Sequence, residues 1–519
     1  MCEVLSILRK FMADEKIDYL LVNSTNKFLV EYNTLAENSR YHLTGFTGST
    51  GDALISAEDV FLFVDGRYHI QADIEVNHNF VTVVKLQTGQ SFIDEMLKKI
   101  PKDAVLGLFS QKNSQSAVEL IQKQAKIKLL PFDPLDAVKS FAPAHTVALD
   151  RNFTGLSSEE KIANINLKED EAILLTNLEE VSYLFNLRDF SMPFSAKIKA
   201  KAVIMQDKAI LFEEDRLDRF EEFIKNLDKK IFVDKSSVNA YDYALLGNRA
   251  AEMHSNPVKL MKSIKTDAEI EHYKDAFKRT DNALKAVREY IENTRNISEF
   301  DIARKLEEEF IKNGAKNLSF NSIVAKDKNS ALAHYSKSSP DEILKDGSLV
   351  LIDCGAYFEG GLATDITRVF VKGTPTDLQK RVYTTVLRAF LHAYNTKITP
   401  ETTGYQIDSA ARAFFDENII EGFVFNHGLG HGIGINVHEA PPNLGKGEIA
   451  KTVLKDNMCF TIEPGLYNAE HFGVRLENSC YLKNGRINSF VRMPYEEKLI
   501  DYSLLTDVEK EQLKEFGVI

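Results

Sequence analysis

This sequence predicts three consecutive domains, two α/β units followed by a larger mixed α+β domain. At 519 residues and 44% hydrophobic, the chain exceeds a single core and has material for about two to four ordinary domains. A helix-and-strand order near the N-terminus returns near Ala172. Beyond residue 258 the pattern changes to long helices and to strands that carry acidic residues at their ends or centres.

The elements follow in order. Leu5 to Met12 has helical spacing, IDYLLVN reads as a buried strand, and TGFTGSTGDALISAEDVFLFVDGRY as glycine-punctuated strands. In the second unit AILLT is a strand, NLEEVSYLFNLR a helix, and KAVIMQDKAILF two strands around a polar turn, so the two units read as a divergent duplication. Pro131, Pro134 and Pro143 crowd the gap between them, and Pro257 lies in HSNPVKL after the second; prolines discourage continuous elements. The domains are therefore placed at 1–145, 146–258 and 259–519. In the third, Thr266-Asp267-Ala268-Glu269 is a capping box, and Ile270, Tyr273, Phe277, Leu284, Val287 and Ile291 form a helical stripe. A second helix starts at Ser298, and another spans about 376–395. No low-complexity tract or short tandem repeat points to a solenoid or a disordered tail.

The net charge of −12 is spread without long like-charge blocks, which argues against nucleic acid or an anionic membrane as partner. Cys2, Cys354, Cys459 and Cys480 show no CxxC or disulfide-framework spacing, as suits a reducing cytosol. The start MCEVLSILRKFMADEKIDYLL has no uninterrupted apolar core, and no stretch approaches the roughly 18 apolar residues of a membrane span. A soluble, cytoplasmic protein is expected.

Five potential metal ligands fall in order in the last third: Asp353, Asp365, His431, Glu463 and Glu477. LVLIDCGAYFEGGLATDITRVF reads as a hairpin turning at Glu359-Gly360-Gly361, with Asp353 and Asp365 symmetric about Glu359. Opposed residues share a face roughly 5 Å apart, where two carboxylates repel and a dication turns repulsion into coordination. A turn cap and a solvated acid would be the bland reading. The apolar run Leu349-Val350-Leu351-Ile352 argues instead that Asp353 is buried, which is costly unless the carboxylate is paired or metal-bound.

NHGLGHGIGINVHEAPP holds His427, His431 and His438 among alternating glycines, and glycine lets a backbone approach a ligand closely. No register of it matches a phosphate-binding glycine motif. His431 is the expected ligand, while His427 and His438 are candidates to hold substrate or stabilise a tetrahedral intermediate. MCFTIEPGLY puts Glu463 at the end of an apolar strand, GVRLENS puts Glu477 within the next, and Asn484-Gly485 continues the sheet as a hairpin. Singly, Glu463 could start a turn and Glu477 could pair with Arg475. Together, four acids and a histidine can cage two divalent cations that lower the pKa of a bridging water and polarise a carbonyl, the chemistry of amide hydrolysis. Glu463 is the natural general base, and Arg475 the expected partner that orients a ligating carboxylate.

These residues resemble the pita-bread metallopeptidases, and among them the three-domain Xaa-Pro aminopeptidases. GFTGSTG and DGRY are similar to that family's first domain, LEEVSYLFNLR to its second, and KLMKSIKTDAEIEHYKDA, AHYS, LIDCGAYFEGGLATDITR, HGLGHGIG, NVHEAPP, TIEPGLY and GVRLEN to its catalytic domain. The resemblance implies two creatinase-like α/β domains followed by a pita-bread catalytic domain. It also implies two metal ions, usually manganese with zinc or cobalt as alternatives, bridged by Asp365 and Glu477, and a metal-bridging hydroxide with Glu463 as its base. By the same resemblance His334 in AHYS, His427, His438 and Arg67 in DGRY contact the peptide, the second residue of the substrate is proline, and the protein is a homodimer.

Two departures stand out. Eleven residues separate Asp353 from Asp365, one more than is usual in the family, which implies a longer turn or a bulge. The chain also ends at Gly517-Val518-Ile519, short of the helical tail of some longer relatives. A prolidase-type dipeptidase would share all five ligands, but prolidases resemble chains with one N-terminal unit. A pita-bread binding protein without catalysis would lack ligands that are present here, while creatinases lack this metal set and methionine aminopeptidases resemble the third domain alone.

Overall fold

The computed structural model describes residues 2–66, 68–87, 90–137, 145–335 and 337–518. They form two compact units: 1–146, 158–193 and 197–258 in one, and 147–157, 194–196 and 259–519 in the other.

The first unit holds two sheets. One consists of β1 (Tyr19–Val22), β2 (Asp52–Ile55), β3 (Val60–Val64), β4 (Thr82–Lys85), β5 (Val105–Phe109) and β6 (Lys126–Leu130) in the order β4-β3-β2-β1-β5-β6. The central β1 pairs antiparallel with β2 and parallel with β5. The second sheet repeats this scheme: Glu171–Leu175 pairs antiparallel with Ala200–Ile204 and parallel with Lys230–Val233, and Ala209–Glu213 and Ala250–Glu252 form the edges. Strand for strand it equals the first without β4, which is the topological content of the duplication read from the sequence. The helix predicted over NLEEVSYLFNLR stops at Leu184, because Asn186 adopts a left-handed φ of 54°.

In the second unit Thr266 and Glu269 form the predicted capping box at the head of the 27-residue helix Asp267–Asn293. Helices Glu299–Lys312, Asp377–Tyr394 and Gly404–Glu417 also begin at capping boxes. Strands Ile323–Lys326, Leu349–Cys354 and Ile366–Val371 form an antiparallel sheet, and Cys459–Ile462, Asn478–Lys483 and Arg486–Ser489 form another. The second sheet turns at Asn484 and Gly485, both at positive φ, as the sequence predicts. Leu349, Leu351, Val369 and Val371 share a core with Val386, Leu387 and Phe390 of one helix and Ile407 and Ala411 of another. Side chains alternate along a strand, so the face that buries Leu349 and Leu351 carries Asp353 at its end. The face that buries Val369 and Val371 likewise carries Thr367 and Asp365.

The register corrects one expectation. Asp353 stands opposite Thr367, and Tyr357 is bridged to Ala363, so the hairpin centres on Gly360 rather than Glu359. Asp365 is therefore the diagonal neighbour of Asp353 on one face, not its direct partner. The eleven-residue spacing is taken up at the turn, where Gly361 has a φ of 63°. Gly355 takes the place opposite Asp365, and a Cβ on it would overlap the Thr364 carbonyl oxygen and the Ser319 hydroxyl.

Among the described residues no helix is long and apolar enough to cross a membrane. The four cysteines are free, with Cys2 exposed and the rest buried. Gly355→Ala is expected to cost about 1–3 kcal/mol, because backbone rather than a movable side chain stands in the way. A thermal unfolding midpoint equal to that of the unaltered chain would contradict this.

Candidate active site

The acidic face of the hairpin meets the segment 463–477. Arg475, 3% exposed, donates from Nη2 to Asp353 Oδ2 at 2.7 Å, from Nε to the Thr367 hydroxyl at 3.2 Å and from Nη1 to the Tyr467 hydroxyl at 2.9 Å. Thr367 in turn donates to Glu477 Oε2 at 2.8 Å. Glu477 sits in the break between strands Gly473–Arg475 and Asn478–Lys483, not inside a continuous strand as expected, and its N–H donates to the Thr367 carbonyl. Arg368, fully buried, joins the two sheets by donating to the carbonyls of Thr367, Glu477 and Met493 and to Asn478 Oδ1.

His431 arrives from the glycine segment. Its Nδ1 lies 3.0 Å from the Gly432 carbonyl, to which it donates, and its Nε2 faces Asp365 Oδ2 at 3.5 Å and Glu463 Oε1 at 3.6 Å. Donor atoms of Asp365, His431 and Glu477 all lie within 4.8 Å of one another. Two of the glycines bring the backbone close to other backbone. A Cβ on Gly430 would overlap the Thr461 carbonyl, and one on Gly432 the Glu439 carbonyl, so the close approach is to the protein's own backbone. Below the segment the buried Glu439 carboxylate pairs with Lys262 and Lys265 and accepts from the Ile435 N–H. Burial would raise its pKa, but the two ammonium groups hold it down at about 2.

Burial, then the charge of neighbouring acids, raises the pKa of Asp365 and Glu477 well above the carboxylate range. Burial pushes Glu463 up to about 7 against the opposing pull of His431 and Arg475. Asp353 Oδ1 and Glu477 Oε1 are buried without a hydrogen-bond partner. Buried carboxylate oxygens without donors fit divalent cations, and a donor set of carboxylates with one imidazole is one that first-row divalent ions accept.

The sequence model of metallopeptidase family M24 matches residues 271–484, and two different models of the creatinase/prolidase N-terminal domain match residues 5–138 and 140–269. A probable Xaa-Pro aminopeptidase P of Laccaria bicolor is 30% identical, over 99% of this chain and 89% of its own. Xaa-Pro aminopeptidase 1 of Dictyostelium discoideum is 30% identical, over 97% of this chain and 90% of its own. The chain belongs to the Xaa-Pro aminopeptidase family. The expected order of two creatinase-like domains and a pita-bread catalytic domain holds. An X-prolyl aminopeptidase from Caenorhabditis elegans, described as a cytosolic enzyme with a di-nuclear active site, shares the fold with a TM-score of 0.90 at 22% identity, over 99% of this chain and 94% of that one.

The remaining predicted residues of the enzyme are placed unevenly. His438 is exposed, with its ring 4.5 Å from that of His431. His334 is half-buried just beyond the short helix Asp327–Ala331. His427 has both nitrogens engaged, Nδ1 with the Gly428 carbonyl at 2.7 Å and Nε2 with the Tyr467 hydroxyl at 2.8 Å. Burial, reinforced by Arg475, lowers its pKa to about 3, so the neutral ring accepts the Tyr467 proton. Arg67 lies outside the described residues. Sequence reasoning missed Thr367 and Tyr467. Thr367 could have been found, since it is two residues from Asp365 on the same strand face; nothing local marks Tyr467.

Folded, metal-free Glu463 keeps its proton up to about 7, whereas its ordinary value is 4.5. Between those values Glu463 binds more of a proton in the folded chain than in the unfolded one, so its contribution to stability falls as pH rises through that window. The raised Asp365 and Glu477 act in the same sense, and together they outweigh the opposite effect of His427. Thermal midpoints in chelator should therefore be lower at pH 7.5 than at pH 5, and Mn²⁺ should raise the midpoint more at pH 7.5. A chelated enzyme equally stable at both would contradict the shift.

Proposed function

We propose that the enzyme removes the N-terminal residue from peptides whose second residue is proline, with two divalent cations, manganese by preference, held by Asp353, Asp365, His431, Glu463 and Glu477. The observation that carries this reading is the convergence of Asp365, His431 and Glu477 beside the partnerless oxygens of Asp353 and Glu477, in a member of this family. Asp365 and Glu477 would be among the side chains that hold them. When bound, the ions supply an acidified water and a polarised carbonyl.

The chain's own residues do the rest. Glu463, beside His431 and steadied by the Thr461 hydroxyl at 3.4 Å, takes the proton of the attacking water and passes it to the departing proline nitrogen. Arg475 fixes one oxygen of Asp353 and leaves the other for an ion. Tyr467, held between Arg475 and His427, keeps the guanidinium in its plane. His334 and His438 hold the peptide, while His427 acts on it through Tyr467. An Xaa-Pro amide is tertiary, so recognition rests on the ring and the carbonyl instead of an N–H. The free cysteines and the description of the Caenorhabditis elegans protein as cytosolic support a cytoplasmic location, and the family resemblance supports a homodimer.

The test is hydrolysis of Arg-Pro-Pro, Ala-Pro and Arg-Ala-Ala with Mn²⁺ and with EDTA. Arginine should be released from Arg-Pro-Pro alone, and only without chelator; cleavage restricted to Ala-Pro would make the enzyme a dipeptidase. Glu463→Gln, in protein checked for metal content, should lower kcat by about 10²–10⁴-fold, and unchanged turnover would remove Glu463 from its role.

A further inference from the structure

The segment that carries His334 has little regular structure of its own, yet one buried group holds it along its length. Glu299 is the first residue of helix Glu299–Lys312 and has no solvent exposure. Its Oε1 accepts from the Lys326 N–H at 2.6 Å and the Asn329 amide at 2.9 Å. Its Oε2 accepts from the Tyr335 hydroxyl at 2.7 Å and the Ser339 N–H at 3.0 Å. Among the described residues it forms no ion pair.

The arrangement is selective for a carboxylate. An ionised carboxyl only accepts, and its two oxygens offer about four lone-pair sites, which four donors fill here. An amide of the same shape would turn its own N–H groups towards two of those donors. Burying an unpaired charge is costly, and this one is met by four donors that all come from residues 326–339. The helix reinforces the grip: the Glu299 and Phe300 N–H groups donate to the Glu342 and Ser339 carbonyls.

His334 lies between these anchors. The Tyr335 N–H closes a turn on the Leu332 carbonyl, so the residue held by Glu299 directly follows the histidine. On the other side Ser330 exchanges hydrogen bonds with the backbone of Gly473, two residues from Arg475. The turn that presents His334 is thus suspended between Glu299 and the hairpin that carries Arg475.

We infer that Glu299 is a positioning residue for peptide cleavage, acting through Tyr335 to fix the orientation of His334. The inference rests on the proposed role of His334 in holding the peptide. It assigns a part in substrate handling to a side chain whose hydrogen bonds, among the described residues, go to Lys326, Asn329, Tyr335 and Ser339 rather than to the candidate ligands.

A double-mutant cycle on kcat/KM for Arg-Pro-Pro, with metal content and thermal midpoint measured for every variant, tests it. Glu299→Gln should lower kcat/KM at least tenfold with its metal retained, and should change it less than threefold in a His334→Ala background. Tyr335→Phe, which removes one donor, should give a smaller loss that also vanishes in that background and stands in if Glu299→Gln does not fold. Equal losses with and without His334 would overturn the inference, because Glu299 would then serve stability alone. A His334→Ala variant with unchanged kcat/KM would instead overturn the role of His334 and the inference with it.

Discussion

The electrostatics of four carboxylates gathered around one guanidinium govern the catalytic unit. Asp353, Asp365 and Glu477 are buried and Glu463 nearly so, while Arg475 is the cation hydrogen-bonded among them. Buried like charges repel strongly and each has lost its hydration, so in the absence of cations the raised pKa values of Asp365, Glu463 and Glu477 favour uptake of protons, which relieves the repulsion within a stiff framework. The stiffness has identifiable sources. Arg368 fastens one sheet to the other through backbone carbonyls, Lys262 and Lys265 lock Glu439 beneath the glycine segment, and Gly355 lets the hairpin strands close where a side chain would part them.

Asp353 was legible as a buried acid because it stands near the end of an apolar strand, whereas Asp365, Glu463 and Glu477 lie just outside the strands Ile366–Val371, Cys459–Ile462 and Asn478–Lys483. Leu349 and Leu351 announce a buried face, and alternation carries Asp353 onto it. The exact pairing was not legible, since Gly360 and Gly361 can both seat the turn and only the three-dimensional ladder decides that the left-handed φ falls at Gly361. The duplication was visible as a repeated order of elements, whereas the additional edge strand β4 has no counterpart in the second sheet and no signal that sets it apart.

Residues acting through others were the hardest to read. Tyr467 lies between His427 and Arg475, which are 48 positions apart in the chain, and only the fold brings the three together. The glycines illustrate a different limit. Their alternation was evident, but a sequence shows that a backbone must come close to something without showing what it approaches, and here it is Thr461 and Glu439.

That packing would bear on which ions the candidate site admits. With Gly430 and Gly432 pressed against neighbouring carbonyls, the main chain on both sides of His431 has no slack, and the hairpin opposite is equally confined. Ion selectivity depends on cavity size, ligand number and flexibility. A site with walls so confined would work as a gauge of ionic radius, admitting ions that match the spacing of its donors and not adjusting that spacing to the ion.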